Sequence, residues 1–368
     1  MNSCTESISK AKPESQSVDC LVTDGEDSSL CWNCGCAKFE PLFQAHDFDT
    51  ALNSFPVRRC QQCGLVYTAD VTDDILVAAY SQSYYGSEKA KFLSVIETLV
   101  KIGHHRQAKK ILDLYHDQKS GSNTAEQAVS VLDIGCGRGL LLQEFDKLGT
   151  DCLGIERSEF PGAKRHKIDI HIGALHDDEL SDKCFDIIII WHVLEHITEL
   201  GTMLEELPRH LNPGGLLVIS VPNYSSWQSR FFKHHWFHLD IPRHVTHFEK
   251  QWLEKTLGSM GLEIISHNTF AASQNIYGFI QSSLNRFIPR KPNRLYKLLT
   301  QGRGRQDWLA LAAWSLLAVP LLPFAILETL MTEKSRQGAT LTIYARNRGD
   351  DSKHVGIASA RKTSIKNH

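Results

Sequence analysis

The sequence has almost no net charge and no segment typical of export. Its 40 Lys and Arg residues nearly balance 42 Asp and Glu residues, giving a formal net charge of -2. This balance argues against a protein that captures nucleic acid by bulk electrostatic attraction. Residues 1–29 are rich in Ser, Glu and Asp and contain no apolar run, so we expect a disordered tail rather than a secretory signal. The ten cysteines are therefore expected to be thiols or metal ligands in a cytoplasmic protein.

What the sequence does have is the composition of a folded protein with a large core. Hydrophobic residues make up 42% of the 368 residues and charged residues 22%, which is ordinary for globular domains. The length allows one large domain or two smaller ones. The pattern predicts a tail (1–29), a cysteine module (30–70), a helical cap and linker (71–128), a central domain (129–346) and a basic flexible tail (347–368).

Two matching C-x-x-C-G motifs stand in the cysteine module. Cys31 and Cys34 form the first pair and Cys60 and Cys63 the second, with room for a short hairpin between them. Two such pairs can supply four thiolates to a tetrahedral zinc ion, and a closed set of four makes the metal structural. Redox pairing is the alternative, but two motifs of the same form favour a zinc ribbon that needs its metal to fold. Cys36 could replace one ligand.

The centre of the chain is a buried strand that runs directly into a glycine-rich turn. The stretch is Val131-Leu132-Asp133-Ile134-Gly135-Cys136-Gly137-Arg138-Gly139. Alternate glycines allow positive φ angles and let a ligand lie against backbone N–H groups. Glu156 ends the next strand, about twenty residues beyond the glycines, so its carboxylate would lie beside the turn and could accept two ribose hydroxyls. Later strands alternate with helices, which predicts a Rossmann-like, doubly wound α/β sheet with ligands at the carboxyl ends of its strands.

Several motifs together resemble a class I S-adenosylmethionine-dependent methyltransferase. They are Asp133-x-Gly135-Cys136-Gly137-x-Gly139, Glu156, Phe185-Asp186, Val193-Leu194-Glu195-His196 and Leu211-x-Pro213-Gly214-Gly215. The likeness extends over residues 130–265, resumes near Ala339, and is nearest to the group that includes quinone-biosynthesis O-methyltransferases. The resemblance implies a seven-stranded sheet and S-adenosyl-L-methionine as cofactor. A nicotinamide-binding domain would need G-x-G-x-x-G, which this glycine spacing does not give.

The resemblance also implies roles for single residues. The glycine turn matches the part of the family that lies under the methionine of the cofactor, and Asp133 matches the residue that organises it. Glu156 matches the carboxylate that binds ribose. The cofactor residues implied in this way are Asp133, Gly135, Cys136, Gly137, Gly139, Glu156, Ala174, Leu175 and Trp191. Where the family often has an acidic residue against the adenine amino group, this chain has Gly173-Ala174-Leu175-His176.

Four histidines are candidates for the catalytic base. Methyl transfer from a sulfonium is an in-line displacement, so the protein has to align the acceptor, exclude water and remove a proton. A histidine with a pKa near neutral suits the last task, although a structural role is the alternative for each one. Two follow the fourth strand and two lie in a segment after the fifth strand that resembles one in bacterial members linked to polysaccharide or lipid pathways. The candidates are His192, His196, His244 and His247.

The pair of histidines after the fourth strand also fits two metal patterns. His192-x-x-Glu195-His196 matches the H-x-x-E-H of some zinc proteases, but that pattern needs a helix, and here it follows a buried strand. Some quinone O-methyltransferases bind a divalent cation through Glu-x-x-Glu-His, and this chain has His192 in the first position. The Asn/Asp-Pro-Pro-aromatic signature of amide and base N-methylation is absent, which weighs against a nucleobase nitrogen as acceptor.

A long apolar insertion separates the last two predicted strands. Family members join these strands by a short connection, whereas here residues 270–337 intervene. Residues 308–327 carry no charge and are long enough to span a bilayer. Crossing would deliver the last strand to the wrong side of the membrane, and Pro320 and Pro323 would break a continuous helix, so we expect a monotopic or re-entrant apolar hairpin over 308–331. Basic flanks place both of its ends at a cytosolic, anionic surface; burial within the protein or in a dimer is the alternative.

The sequence therefore predicts a methyltransferase bound peripherally to a membrane, with a structural zinc ion. Its acceptor would be a lipid-linked or amphipathic small molecule or glycan, methylated on oxygen or carbon. An RNA methyltransferase that uses the zinc ribbon for RNA is one alternative, opposed by the near-neutral charge. A non-catalytic membrane-docking adaptor is another, opposed by the complete glycine turn and Glu156.

Overall fold

The computed structural model describes residues 30–47, 53–80, 94–119, 128–158, 168–300 and 305–349. The predicted tail 1–29, almost all of the tail 347–368 and most of the predicted linker lie outside the described residues. The strands are β1 Phe39–His46, β2 Ser54–Cys60, β3 Val66–Thr68, β4 Ser130–Ile134, β5 Asp151–Glu156, β6 Asp169–Ile172, β7 Phe185–Trp191, β8 Leu211–Pro222, β9 Thr246–His247, β10 Leu262–Asn268 and β11 Thr340–Asn347. The helices are α1 Asp73–Ala79, α2 Ser94–Lys119, α3 Leu140–Lys147, α4 Leu200–Glu206, α5 Trp227–Phe232, α6 Lys250–Ser259, α7 Ala272–Phe287, α8 Arg294–Thr300, α9 Arg305–Ala318 and α10 Leu322–Lys334.

A seven-stranded sheet forms the centre of the molecule, in the order β10-β11-β8-β7-β4-β5-β6. The five strands from β8 to β6 are parallel, and β11 pairs antiparallel with both β8 and β10. The central strands are largely apolar, as expected of strands that are covered on both faces of the sheet; Ile187 to Ile190 are all fully buried. The predicted Rossmann-like sheet is confirmed.

Strand β8 contains the Leu211-x-Pro213-Gly214-Gly215 motif at its beginning. The strand starts at Leu211, so the Pro-Gly-Gly segment lies within it. Gly214 has a φ of 76°, so the chain bends there without leaving the sheet, and the register against β7 shifts at this point. Asn347 at the end of β11 donates a hydrogen bond to the Leu211 carbonyl and ties down the bend.

The cysteine module is built into the rest of the molecule. Its three strands form a sheet with a fourth, β9, which comes from the segment after β8. Tyr67 pairs with Thr246 and Val66 with His247. Some of its buried side chains, such as Leu65 and Tyr67, belong to the same hydrophobic core as the central sheet, and others, such as Val66, belong to a second core with the segment after β8. The predicted hairpin between the two C-x-x-C-G motifs is the pair β1 and β2.

The predicted apolar hairpin over 308–331 is wrong, because one continuous helix occupies this region. Residues Gln306–Lys334 form a single helix of 29 residues. Pro320 and Pro323 each lie in the first turn of a helical segment, where a missing N–H leaves no hydrogen bond unmade. A three-ten turn, Val319–Leu321, accommodates both prolines while the backbone stays in the right-handed helical region. We call Gln306–Lys334 the apolar helix.

The apolar helix is packed along one side and open along the other. Leu311, Trp314 and Ala325 face α7 and α8 in a small separate core. Only 17% of the most apolar window is buried, and by length and composition the helix could cross a membrane. Its exposed large side chains are Trp308, Leu309, Leu316, Leu317, Val319, Leu322, Phe324, Ile326, Leu327, Leu330 and Met331.

Candidate cofactor and acceptor site

The glycine turn follows β4 at the carboxyl edge of the sheet. Its first two N–H groups, on Gly135 and Cys136, both donate to the Ile155 carbonyl at 2.8 and 3.1 Å. The three glycines have φ angles of 72°, 53° and 64°, which L side chains rarely adopt. A Cβ on Gly135 would collide with Val193, whereas one on Gly137 or Gly139 would meet nothing within 4 Å. The turn is therefore tight on its inner side and open on its outer side, as a cradle for a ligand requires.

Glu156 lies where the sequence predicted, beside the turn at the end of β5. One carboxylate oxygen accepts the N–H of Gly137 at 2.8 Å and the other accepts the N–H of Arg157 at 3.1 Å. The adjacent parallel strands β4 and β5 end side by side and bring the two together. The carboxylate is thus held at the rim of the turn.

Asp133 is buried in β4 directly beneath the turn. Burial, together with the nearby charge of Glu156, raises the pKa of its carboxyl to about 8. Asp133 is therefore protonated at neutral pH and can donate a hydrogen bond from its carboxyl group.

An acidic residue stands after β6, where the sequence showed none next to Ala174. Asp177 accepts the Ala174 N–H at 2.8 Å and contacts His171 Nε2 at 2.8 Å, and the bond to His171 lowers the pKa of Asp177. Leu175 packs into the central core. The sequence did not predict Asp177 at this position, because the turn after β6, rather than the end of the strand itself, brings its carboxylate to Ala174.

A cleft opens beside the glycine turn. It is lined by His104, Asp133, Gly135, Cys136, Arg138, Leu140, Leu141 and Trp191. Trp191 ends β7, as predicted, whereas His104 comes from α2, which lies across the cleft. His104 Nδ1 is buried without a hydrogen-bond partner in the described part of the chain, and burial lowers the pKa of this imidazole.

His192 and Glu195 form the first part of the histidine site. His192 directly follows β7 with a φ of 53°, a strained conformation for a non-glycine residue. Its Nδ1 lies 3.2 Å from Glu195 Oε1. Burial alone would raise the pKa of Glu195, but the hydrogen bond from His192 and the charges of nearby histidines lower it to about 2. Glu195 is thus a buried carboxylate that stays ionised.

His196 and His244 meet Glu195 from two different segments. Their rings are 4.6 Å apart, and each Nδ1 faces a backbone carbonyl: Arg243 for His196 at 3.0 Å and His238 for His244 at 2.8 Å. His244 Nε2 lies 4.0 Å from Glu195 Oε1. Burial lowers the pKa of His244 to about 4, so its imidazole is neutral and its Nε2 can accept a proton or bind a cation.

The set of groups differs from both metal patterns noted in the sequence. Glu195, His196 and His244 have ligand atoms that all lie within 4.8 Å of one another, and His192 is not part of this group. Residues Leu194–His196 form a three-ten turn rather than the α-helix that H-x-x-E-H requires.

His247 is held by the cysteine module. Its Nε2 lies 2.9 Å from the hydroxyl of Thr68, and burial lowers the pKa of the ring to about 3. The structure therefore places His247 in a structural contact, apart from the three groups around Glu195. Tyr80, from α1, contacts His196 Nδ1 at 2.8 Å and was also not found from the sequence.

Comparison with known proteins identifies the family of the central domain. The family model of a methyltransferase domain matches residues 102–267. A ubiquinone biosynthesis O-methyltransferase of Nitrobacter winogradskyi is 32% identical over 121 residues, which cover 31% of this chain and 46% of the relative. A protein of the same name from Bradyrhizobium sp. is 36% identical over 107 residues, covering 27% of this chain and 42% of the relative. The chain thus spans less than half the length of the curated relatives it matches.

Residues 102–267 thus match a methyltransferase domain, and this part of the chain is similar to S-adenosylmethionine-dependent methyltransferases. Among solved structures, a SAM-dependent methyltransferase from Archaeoglobus fulgidus overlays with a TM-score of 0.38 and 17% identity, covering 64% of this chain and 94% of that one. One from Mesorhizobium loti overlays with a TM-score of 0.37 and 16% identity over 60% of this chain and 91% of that one. The resemblance stated from the sequence motifs is confirmed.

Four cysteine sulfurs converge beside the methyltransferase domain. They are those of Cys31, Cys34, Cys60 and Cys63, and all lie within 4.8 Å of one another. Cys31 and Cys63 are 3.6 Å apart and Cys34 and Cys60 are 3.5 Å apart. Four thiolates at about 2.3 Å from a zinc ion would be about 3.8 Å apart, so the cluster has nearly the size of a tetrahedral site. Cys36 is not part of the cluster; its sulfur accepts the N–H of Lys38.

Proposed function

We propose that the chain methylates an oxygen or carbon atom of a lipid-linked or amphipathic acceptor at a membrane surface. The observation that carries this proposal is the apolar helix, whose exposed side has no charged residue over 308–327 and is joined to the segment that bears His244. The relatives named as O-methyltransferases of ubiquinone biosynthesis support an acceptor with a hydroxyl group and a long apolar part.

The cofactor would lie against the outer side of the glycine turn, with Glu156 beside it. S-adenosylmethionine supplies a methyl group on a sulfonium, which brings its own leaving group. The open side of Gly137 and Gly139 leaves room for the methionine part, and the Glu156 carboxylate is held where it can accept the two ribose hydroxyls. His104 and Arg138, which line the same cleft, would face the polar end of the methionine.

The acceptor would be deprotonated at the group formed by Glu195, His196 and His244. His244 is neutral at pH 7 and has its Nδ1 engaged by a carbonyl, which leaves Nε2 as the basic atom. The ionised carboxylate of Glu195, 4.0 Å away, would stabilise the imidazolium that forms. The same three groups could bind a divalent cation, which would lower the pKa of an acceptor hydroxyl instead.

The apolar helix would lie in the membrane surface with its open side in the lipid. The covered side packs on α7, whose Ser282 accepts the N–H of Phe237, and whose Gln274 carbonyl contacts His238. The helix is thus connected to the acceptor side of the site through a single helix. On α5, Trp227 and Phe231 stack at 4.7 Å on the surface nearby, which extends the apolar area. Arg286, Arg290, Lys291 and Lys334, all exposed, suit an anionic headgroup region.

Vesicle sedimentation tests whether the apolar helix binds the chain to a membrane. Leu316 and Leu327 are 73% and 56% exposed, and their exchange for Gln removes about 3 kcal/mol of burial in lipid. We expect the double variant to sediment at least ten-fold less with vesicles of equal parts phosphatidylglycerol and phosphatidylcholine. Val77→Gln, at an equally exposed site on α1, is the matched control and should sediment like the unchanged protein. Equal sedimentation of all three proteins would refute membrane binding through the apolar helix.

Labelling identifies the acceptor. Membrane lipid extract and soluble extract would each be incubated with the chain and methyl-labelled S-adenosylmethionine. We expect the label in the lipid fraction. Label in RNA, with binding that falls steeply with salt, would support the RNA alternative instead.

We also propose that the four-cysteine cluster binds one structural zinc ion. The near-tetrahedral set of sulfurs supports it, as does the N–H of Cys63, which donates to Cys60 Sγ at 3.5 Å. Zinc would stabilise the module and take no part in methyl transfer.

A further inference from the structure

Thr68 joins the cysteine module to the histidines of the acceptor site. It ends β3 and is fully buried. Its hydroxyl donates to the His244 carbonyl at 2.9 Å and lies 2.9 Å from His247 Nε2. Its N–H donates to the Val245 carbonyl at 2.9 Å, and its carbonyl accepts the indole N–H of Trp32 at 2.9 Å. Every polar group of Thr68 therefore makes a hydrogen bond, either within the cysteine module or to the segment that carries His244 and His247.

The tautomer of His247 follows from these contacts. A carbonyl only accepts, so the Thr68 hydroxyl gives its proton to His244 O, and its lone pairs remain for the Nε2–H of His247. His247 is neutral and buried, so this N–H has no access to water. Without the hydroxyl, a buried carbonyl and a buried N–H would both lose a partner.

On one side, the contacts of Thr68 reach the cysteine cluster. Trp32 stands between Cys31 and Cys34, so the side chain that binds the Thr68 carbonyl is part of the first C-x-x-C motif. The second motif is tied to the methyltransferase domain separately, because Trp252 donates its indole N–H to the Cys63 carbonyl at 2.9 Å.

On the other side, the contacts reach Glu195. The Val245 N–H donates to the Glu195 carbonyl at 2.9 Å, and His244 Nε2 lies 4.0 Å from the Glu195 carboxylate. Residues 244–247 are thus fixed between β3 and the turn that carries Glu195 and His196. The predicted cofactor residues lie at or just after the carboxyl ends of β4, β5, β6 and β7 and share none of these hydrogen bonds.

We propose that Thr68 is a positioning residue for the methyl transfer proposed above, and that the cysteine module is one wall of the acceptor site. Thr68 sets the place of His244 relative to Glu195 and does not touch the cofactor. The proposal rests on the proposed function for its chemistry and on the Thr68 contacts for its geometry.

Two substitutions in the full chain separate the hydroxyl from the shape of the side chain. Thr68→Val keeps the shape and removes the hydroxyl, whereas Thr68→Ser keeps the hydroxyl. We expect Thr68→Val to lower the rate of label transfer into lipid extract by about ten-fold or more, because two buried groups lose their partner. The affinity for S-adenosylhomocysteine, measured by calorimetry, should change by less than about two-fold. Thr68→Ser should restore most of the rate.

Amide hydrogen exchange gives a readout that needs no acceptor. Peptides that cover residues 240–248 should exchange faster in Thr68→Val than in the unchanged protein or in Thr68→Ser, while peptides that cover 131–139 should not change. Equal exchange and equal rates in Thr68→Val, or no recovery in Thr68→Ser, would overturn the role of Thr68. An unchanged protein that binds no S-adenosylhomocysteine would overturn the proposed function instead.

Discussion

At the scale of single residues, Glu156 carries the most specific prediction for the cofactor. Its two oxygens accept the N–H groups of Gly137 and Arg157, and a glutamine would turn an NH₂ group towards one of these donors. We expect Glu156→Gln to weaken S-adenosylmethionine binding about 100-fold, since hydrogen bonds to a charged group are worth about 1.5–3 kcal/mol each. Calorimetry would measure it, with Glu179→Gln, at an exposed carboxylate after β6, as the control. Equal affinity in both variants would show that Glu156 does not bind the ribose.

Asp133 gives a prediction about pH. Its folded pKa of about 8 lies above its usual value of 3.8, so the folded chain holds this proton more tightly than the unfolded chain. The contribution is fully present below pH 4 and is lost as the pH rises towards 8. We expect Asp133→Asn, which cannot ionise, to flatten the fall of the melting temperature between pH 5 and pH 8.5. Parallel curves for the two proteins would mean that Asp133 is ionised in the folded state.

The geometry of the proposed cofactor site could be predicted from the sequence better than that of the proposed acceptor site. The glycine turn and Glu156 follow from a strand, a turn and a fixed distance along the chain, which are local signals. Thr68 and Tyr80 reach the histidines from distant segments, and no local pattern marks such contacts. Asp177 lies only three residues after Ala174 in the sequence, but its hydrogen bond with the Ala174 N–H depends on the turn after β6.

At the scale of elements, the cysteine module allows a test of its metal. We expect about one zinc ion per chain by elemental analysis, because the four sulfurs lie within 4.8 Å of one another and could supply all four ligands of a tetrahedral site. Cys60→Ser should lose the metal and lower the melting temperature, and a strong chelator should do the same to the unchanged protein. Cys152→Ser, outside the cluster, is the control. Full metal content in Cys60→Ser would contradict the site.

The elements themselves were predicted well where periodicity and turn chemistry agree. Strands β4 and β5 lie where the sequence places the strand before the glycine turn and the strand that Glu156 ends, and the last two strands, β10 and β11, lie on either side of the insertion. The apolar helix was predicted as a hairpin because two prolines normally break a helix. Within the apolar helix, each proline lies in the first turn of a helical segment. This arrangement depends on three residues of three-ten geometry that no sequence pattern predicts.

At the scale of the whole molecule, membrane binding predicts how the rate depends on lipid. An enzyme that stays on a vesicle meets only the acceptor in that vesicle, so its rate follows the acceptor's fraction of the lipid rather than its total concentration. We expect added acceptor-free lipid, mixed into the same vesicles, to slow label transfer in proportion to the dilution. An unaffected rate would mean that the acceptor is taken from solution. The Leu316→Gln/Leu327→Gln variant, which binds vesicles less, is the comparison.

The position of β11 has a consequence for the order in which the molecule can be made. It lies between β8 and β10, yet it is the last of the described strands to be synthesised, directly after the apolar helix. During synthesis, the edges of β8 and β10 that pair with β11 stay unpaired. The apolar helix leaves the ribosomal tunnel before β11 is available to complete the sheet. A nascent chain therefore exposes the apolar side of this helix to its surroundings before its central domain is complete. If the helix binds lipid as proposed, a nearby bilayer would cover that side during folding as well as during catalysis.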